Sequence, residues 1–167
     1  MPASPDWAAI VQDHVAVVTN AALRVLGSVS DAEDVAREVF LEAFRKFEPN
    51  NEYSWAGLLR RMAICRSLDL LRSRTNSATL EFQPIDFREP SADSELLRQE
   101  RQDQLRNAVR ELPPREAEVF CLAFFEQQSH EEIATTLGLQ RGAVATLLSK
   151  AKSNITQHLQ RCSGEAK

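Results

Sequence analysis

The sequence predicts an all-α protein, built from two small helical domains joined by a flexible acidic linker. Its 167 residues include only five glycines and seven prolines, and apolar residues recur at helical spacing in both halves of the chain. This periodicity disappears from Thr75 to Glu95, where Pro84 and Pro90 interrupt a segment rich in acidic residues. We therefore expect domains at residues 5–75 and 96–162 and a linker at residues 76–95.

Three amphipathic helices are predicted in the first domain. The first runs from Asp6 to Leu26. The second begins at a capping box formed by Ser30 and Glu33 and continues to about Phe47. The third extends from about Ser54 to Arg74. The buried stripe of the second helix is expected to comprise Val35, Ala36, Val39, Phe40, Ala43, Phe44 and Phe47.

The third helix combines an apolar stripe with a strongly basic opposite face. One acid, Asp69, accompanies five arginines, and Tyr53 and Trp55 add aromatic side chains at the start of the helix. A face of this kind can neutralise phosphates and stack on unpaired bases, which indicates a nucleic-acid contact. The arginines are Arg60, Arg61, Arg66, Arg72 and Arg74.

The second domain is predicted to begin with a charged helix from about Leu96 to Glu111. Pro113 and Pro114 break it, and a further helix is expected from Arg115 to Phe125. The apolar residues Leu122, Phe124 and Phe125 fit either a core or a partner surface, and the core is the favoured interpretation.

A helix-turn-helix is predicted between Ser129 and Arg161. Ser129 and Glu132 form a capping box, and Gly138 permits the tight turn before a second helix that starts at Arg141. No acidic residue occurs between Glu132 and Glu165, although the protein carries a net charge of −4. The alternative is a plain helical hairpin whose lysines lie on its solvent-exposed side. The small residue Ala134 before the turn favours the helix-turn-helix, whose second helix can enter the major groove of DNA.

The sequence indicates a binding protein rather than an enzyme. It contains no catalytic constellation, no glycine-rich phosphate loop and no CxxC pair, so we expect no catalytic residue, cofactor, metal or small-molecule substrate. His158 and Cys162 lie four residues apart and could both contact a metal, but a surface location without metal is the favoured interpretation. No apolar run is long enough to span a bilayer and no signal peptide is visible, so a cytoplasmic protein without membrane insertion is expected.

Three segments in this order resemble the bacterial extracytoplasmic-function sigma factors, the smallest members of the sigma-70 family. They read DAEDVAREVFLEAFRKF, WAGLLRRMAICRSLDLLRSR and LPPREAEVFCLAFFEQQSHEEIATTLGLQRGAVATLLSKAK. The resemblance extends from about Val11 to Leu159. It implies a region 2 domain and a region 4 helix-turn-helix domain, with core RNA polymerase and promoter DNA as partners. It also implies an anti-sigma factor as a further partner.

The resemblance further implies roles for individual residues. It implies that the second helix docks on the large subunits of the polymerase through Asp34, Arg37, Glu38 and Leu41. Contacts with the −10 promoter element fall to Tyr53, Trp55, Arg60, Arg61, Cys65, Arg66, Asp69, Arg72 and Arg74. Contacts with the −35 element fall to Arg141, Gly142, Ala143, Ala145, Thr146, Lys150 and Lys152.

Several positions depart from the family pattern. Cys65 stands where an Asn is usual, Ile64 where an Arg is common, and Arg37 where a Gln is usual. The run from Ala143 to Leu147 replaces a Thr-Val-Lys-Ser-Arg pattern, which removes two positive charges and a hydroxyl. Losing two phosphate contacts weakens DNA binding by on the order of tenfold. Two alternatives therefore stay open: a sigma-like, non-initiating protein that binds polymerase or a regulatory partner, and a helix-turn-helix transcriptional regulator.

Overall fold

The computed structural model describes residues 6–47, 54–74 and 92–165, and every regular element within these ranges is helical. The described residues fall into two compact units divided between Ser73 and Arg74, and the predicted all-α class is confirmed. No helix within the described ranges combines the length and the apolar character needed to cross a bilayer. The elements are α1 (Trp7–Leu26), α2 (Val29–Lys46), α3 (Trp55–Ser73), α4 (Ala92–Arg110), α5 (Pro114–Phe120), a π-helical turn (Cys121–Phe125), α6 (His130–Leu137) and α7 (Arg141–Glu165).

Unit 1 consists of α1, α2 and α3, each of which packs against the other two. Asp6 caps α1 by accepting a hydrogen bond from the N–H of Ala8 at 3.0 Å. Gly27 ends α1 with a φ of 71°, a left-handed conformation that glycine adopts without strain. The core of the unit includes the fully buried side chains Val18, Val25, Leu26, Val35, Val39, Leu59 and Ile64.

The predicted start of α2 is wrong by two residues. Ser28 is the N-cap, and its hydroxyl accepts a hydrogen bond from the N–H of Asp31 at 3.4 Å. Gly27 reverses the chain so sharply that the next helix begins at Val29, which places Ser30 inside the first turn. Phe44 also departs from expectation, because its side chain is 60% exposed although it lies on the predicted buried stripe.

Unit 2 begins with α4, which starts at Ala92 rather than near Leu96. Glu95 lies in the first turn, where the helix dipole favours an acid, and it forms an ion pair with Arg98 at 3.2 Å. Residues 92–95 are therefore helical, whereas the rest of the predicted linker, residues 76–91, lies outside the described ranges.

The helix predicted from Arg115 to Phe125 is an α-helix that changes into a π-helical turn. Pro114 occupies the first helical position of α5, where its missing N–H costs nothing. From Cys121 the helix widens, and the N–H of Glu126 donates to the carbonyl of Cys121 at 3.1 Å. The wider turn leaves Leu122 fully buried but Phe124 47% exposed, so the core assignment holds for Leu122 and is wrong for Phe124.

The predicted helix-turn-helix motif is present as α6 and α7. Both halves of the capping box are formed: the N–H of Glu132 donates to Ser129 Oγ at 3.1 Å, and the N–H of Ser129 donates to Glu132 Oε2 at 2.8 Å. Gly138 ends α6 with a φ of 65°. The inner face of α7 buries Val144, Leu148, Ala151 and Ile155.

Candidate nucleic-acid interface

The four residues predicted to dock on polymerase share one exposed face of α2. They recur at positions i, i+3, i+4 and i+7, so their side chains lie in one row along the helix. Arg37 is paired within this face, at 2.7 Å from Asp34 and 3.9 Å from Glu33. Leu41 is 54% exposed. The face therefore presents a solvent-facing leucine beside a set of charges.

An apolar groove lies beside this face, between α1 and α2, and we call it the α1–α2 groove. Its volume is about 600 Å³. Glu33 and Arg37 are its charged members. Solvent-facing apolar grooves of this size are typical docking sites for the apolar side of a partner helix. The aliphatic and aromatic lining comes mainly from Trp7, Val11, Val15, Phe40, Leu41 and Phe44.

A network of charges joins α2 to α3, and we call its members Glu38, Glu42, Lys46 and Arg66 the Arg66 cluster. Nε of Arg66 lies 3.3 Å from Glu38 Oε2, and Nη2 of Arg66 donates to Glu42 Oε2 at 3.4 Å. Lys46 Nζ donates to the other oxygen of Glu42 at 2.6 Å. The hydrogen bond from Lys46 is the main reason that the pKa of Glu42 is lowered, and partial burial opposes it. Glu38, which is predicted to bind polymerase, thus contacts Arg66, which is predicted to bind DNA.

A second cavity, of about 440 Å³, lies between the C-terminal end of α2 and α3. Several residues predicted to bind the −10 element line it, namely Arg61, Cys65, Arg66 and Asp69. Phe47, Leu58 and Met62 supply an apolar part, while Lys46 and the arginines supply positive charge. This combination can accommodate an unstacked base and its phosphate.

The remaining residues predicted to bind the −10 element occupy varied environments. Trp55 belongs to an aromatic cluster, with its ring centroid 5.4 Å from that of Trp7 and 6.4 Å from that of Phe47. Arg72 lies 3.9 Å from Asp69 on the next turn of α3. Arg60 and Arg74 are half-buried, and Tyr53 lies outside the described residues.

All seven residues predicted to bind the −35 element are exposed on α7. Arg141 Nη1 donates to Glu131 Oε1 of α6 at 3.3 Å. The Lys152 ammonium lies 5.3 Å from the ring centroid of Phe124. Because successive helical residues turn by about 100°, Lys150 and Lys152 point about 160° apart and border opposite sides of the exposed face. Between these borders lie Gly142, Ala145 and Thr146, which carry no charge, and the uncharged Ala143 lies about 20° outside the border at Lys150.

Sequence reasoning missed three residues that the structure brings to these surfaces. Glu42 lies one turn from both Glu38 and Lys46, a spacing that signals an ionic row, but its contact with Arg66 requires the packing of two helices. The contacts of Glu131 with Arg141 and of Phe124 with Lys152 were missed because these partners are ten and 28 residues apart in the chain. Within the described ranges, no three His, Cys, Asp or Glu side chains gather into a group that could hold a metal.

Comparisons with known proteins match both units. Residues 10–77 match the family model for Sigma-70 region 2, and residues 102–155 match the model for Sigma-70, region 4. The chain belongs to the sigma-70 family.

The similar proteins are themselves described as sigma factors. The chain is 29% identical to the ECF RNA polymerase sigma factor SigE of Mycolicibacterium smegmatis, over 98% of this chain and 65% of that protein. It is 28% identical to the probable RNA polymerase sigma factor RfaY of Xanthomonas campestris, over 85% of this chain and 37% of that protein. It is 27% identical to the ECF RNA polymerase sigma factor BldN of Streptomyces coelicolor, over 80% of this chain and 53% of that protein. The chain thus spans between a third and two thirds of the length of these curated relatives.

Among solved structures, CnrH in complex with the cytosolic domain of CnrY has the same fold. The TM-score is 0.59 and the identity 21%, with 95% of this chain and 92% of that chain covered.

Proposed function

We propose that this chain is an RNA polymerase sigma factor of the ECF type, which directs core RNA polymerase to specific promoters for transcription initiation. The main support is the presence, in one chain and in the family order, of a region 2 unit and a region 4 helix-turn-helix unit. We propose residues 5–75 and 96–162 as the two functional domains and residues 76–95, the last four of which form the first turn of α4, as the segment that joins them.

Polymerase binding is assigned to α2, through Asp34, Arg37, Glu38 and Leu41. The exposed leucine and the adjoining α1–α2 groove offer apolar area for a helix of the polymerase, and the surrounding charges set its register.

Binding of the −10 element is assigned to α3 and to the cavity beside it. The arginines neutralise phosphates, and the apolar part of the cavity receives a base drawn out of the duplex. Binding of the −35 element is assigned to α7, whose exposed face is free of acids and whose N-terminal part lies in the major groove.

An anti-sigma factor is assigned as a second protein partner. CnrH was solved in complex with the cytosolic domain of CnrY, and this chain shares the fold of CnrH. A cytoplasmic location suits both the polymerase and such a partner.

The test is binding of the purified chain to bacterial core RNA polymerase at moderate salt, followed by transcription from a library of random promoters. We expect co-migration with the core enzyme and transcripts that begin at a defined promoter sequence. Failure of the chain to co-migrate with the core enzyme would refute the proposal.

Two variants sharpen the test. Leu41→Asp places a charge on the proposed docking face and should weaken polymerase binding about tenfold or more. Val29→Asp, a matched control, adds the same charge to another exposed apolar residue of α2 that does not line the α1–α2 groove. Val29→Asp should bind core polymerase with the affinity of the unsubstituted chain. If both variants weaken polymerase binding equally, the docking face lies elsewhere.

A further inference from the structure

Ala145 and Thr146 are exposed on the proposed DNA face of α7, between the borders at Lys150 and Lys152. The family pattern has Lys and Ser at the positions of Ala145 and Thr146. This chain has therefore lost a charged donor at the first position and gained a methyl group at the second. The N-terminal part of this face offers carbon where the family pattern offers charge, so it must recognise bases by a different chemistry.

The hydroxyl of Thr146 is already engaged by the helix. Its Oγ1 donates to the carbonyl oxygen of Gly142 at 3.0 Å, so the single hydroxyl proton is not available to a base. The side chain still presents a methyl group and the acceptor lone pairs of its oxygen. Ala145 presents a methyl group alone. Neither side chain can therefore donate to N7 and O6, the two acceptors that guanine presents in the major groove.

Thymine is the base whose major-groove edge matches a methyl group. Its C5-methyl is the apolar feature of that groove, and Ala and Thr side chains make apolar contacts with it. Neighbouring Cα atoms are about 3.8 Å apart and successive base pairs about 3.4 Å apart, so the two side chains can reach neighbouring base pairs. Burial of one methyl group changes an affinity by about threefold to fourfold.

We propose that Ala145 and Thr146 select two neighbouring T·A base pairs of the −35 element by contacting the thymine methyl groups. This inference rests on the proposed function, because it takes α7 as the helix that enters the major groove. It names the bases that this chain prefers and the atoms that recognise them. Lys150 and Lys152, at the borders of the face, neutralise phosphates without regard to sequence.

The experiment begins with the selection of binding duplexes from a random library, by the full chain alone and by the full chain bound to core polymerase. Each thymine of the selected −35 element is then replaced singly by deoxyuridine, which lacks only the methyl group. Competition gel shifts should show a loss of affinity of about threefold to fourfold at two neighbouring positions and a smaller loss at other thymines.

Two substitutions of Thr146 separate its methyl group from its hydroxyl. Thr146→Ser keeps the hydroxyl and should abolish the effect of deoxyuridine at one of the two positions. Thr146→Val keeps the methyl group and should retain that effect. Thr156→Ser is the matched control, because Thr156 Oγ1 donates to the carbonyl of Lys152 at 2.8 Å in the same way but lies about 15 Å further along α7. It should retain the effect at both positions.

The opposite pattern, with the effect kept by Thr146→Ser and lost in Thr146→Val, would make Thr146 a hydrogen-bond acceptor and overturn the inference. Equal loss in Thr156→Ser, deoxyuridine without effect, or selection of no common sequence would overturn it too. If the chain bound to core polymerase still starts transcripts at a defined promoter, these results leave the proposed function intact. A chain that does not bind polymerase refutes the proposed function, whereas selection by the chain alone still decides whether the methyl contacts exist.

Discussion

Gly138 has a left-handed backbone that ends α6, and it is the first of the three residues, 138–140, that connect α6 to α7. Its φ of 65° is strained for any residue that carries a Cβ, even though open space surrounds it. Gly138→Ala should lower the free energy of unfolding by about 1 kcal/mol. Gly142→Ala, in the first turn of α7 with no atom near the added methyl, should raise it by about 0.5–1 kcal/mol. Urea unfolding followed by circular dichroism measures both changes, and changes of the same sign would contradict this account.

Arg141 is oriented by Glu131, and this contact should govern selectivity on duplex DNA. Arg141→Ala removes the most N-terminal cation of α7 and should cost about 1–3 kcal/mol of preference for the selected promoter. Glu131→Gln removes a charge that repels phosphates. It also removes the ion pair that orients Arg141. It should tighten binding to mixed-sequence duplex while reducing that preference.

Competition gel shifts with selected and mixed duplexes measure both effects. Glu100→Gln, which removes an equal charge from an exposed site on α4, is the control. If it reproduces the loss of preference, Glu131 acts through net charge alone and does not orient Arg141.

At the scale of elements, the α2–α3 contact depends on an ionised Glu42. Its pKa is lowered in the folded chain, so it stabilises the fold above its unfolded-state pKa of about 4.3. This stabilisation is lost as the pH falls through the lower, folded-state pKa. Glu42→Gln should therefore lower the free energy of unfolding by less than about 1 kcal/mol at pH 7, and the difference should disappear in more acidic solution.

Denaturant titrations of Glu42→Gln at a series of pH values give this difference directly. Glu33→Gln, for which the exposed ion pair to Arg37 is 3.9 Å long, should show a smaller difference at every pH. If the difference in the free energy of unfolding between Glu42→Gln and the unsubstituted chain grows as the pH falls, the predicted direction of the pH dependence is wrong.

Elements governed by local chemistry were predictable from the sequence, whereas those governed by packing were not. The capping box of Ser129 and the left-handed Gly138 depend on residues within a few positions, so α6 was placed correctly. The choice of Ser28 over Ser30 depends on the direction in which the chain leaves α1. The π-helical turn at Cys121 has no signature in residue type, and without it the outward position of Phe124 could not be foreseen.

The same division holds for the candidate site. Helical periodicity was enough to predict that α7 presents a basic face free of acids, and each residue assigned to it is exposed. Periodicity could not show that Arg66 is bracketed by acids of another helix or that Lys152 rests on Phe124. Those contacts depend on the packing of one helix against another, which a single sequence does not encode in any short window.

At the scale of the whole molecule, each unit has a core of its own. Leu59 is fully buried among the helices of unit 1, and Ile133 is fully buried in unit 2. Leu59→Ala and Ile133→Ala should each lower the stability of their own unit by about 2–5 kcal/mol. Thermal unfolding followed by circular dichroism and by proteolysis should show that each substitution affects mainly the unit that carries it. Equal destabilisation of both units by either substitution would mean that they unfold as one cooperative body.

The tryptophan fluorescence of this protein reports on the aromatic cluster of unit 1. The chain has two tryptophans, Trp7 and Trp55, and their rings lie 5.4 Å apart beside Phe44 and Phe47. Indole fluorescence therefore originates in unit 1 alone, and unit 2, which carries the helix-turn-helix, does not emit at those wavelengths. A ligand that binds against Trp7 changes the emission wavelength without an attached dye. Binding events confined to unit 2 leave the emission spectrum unchanged.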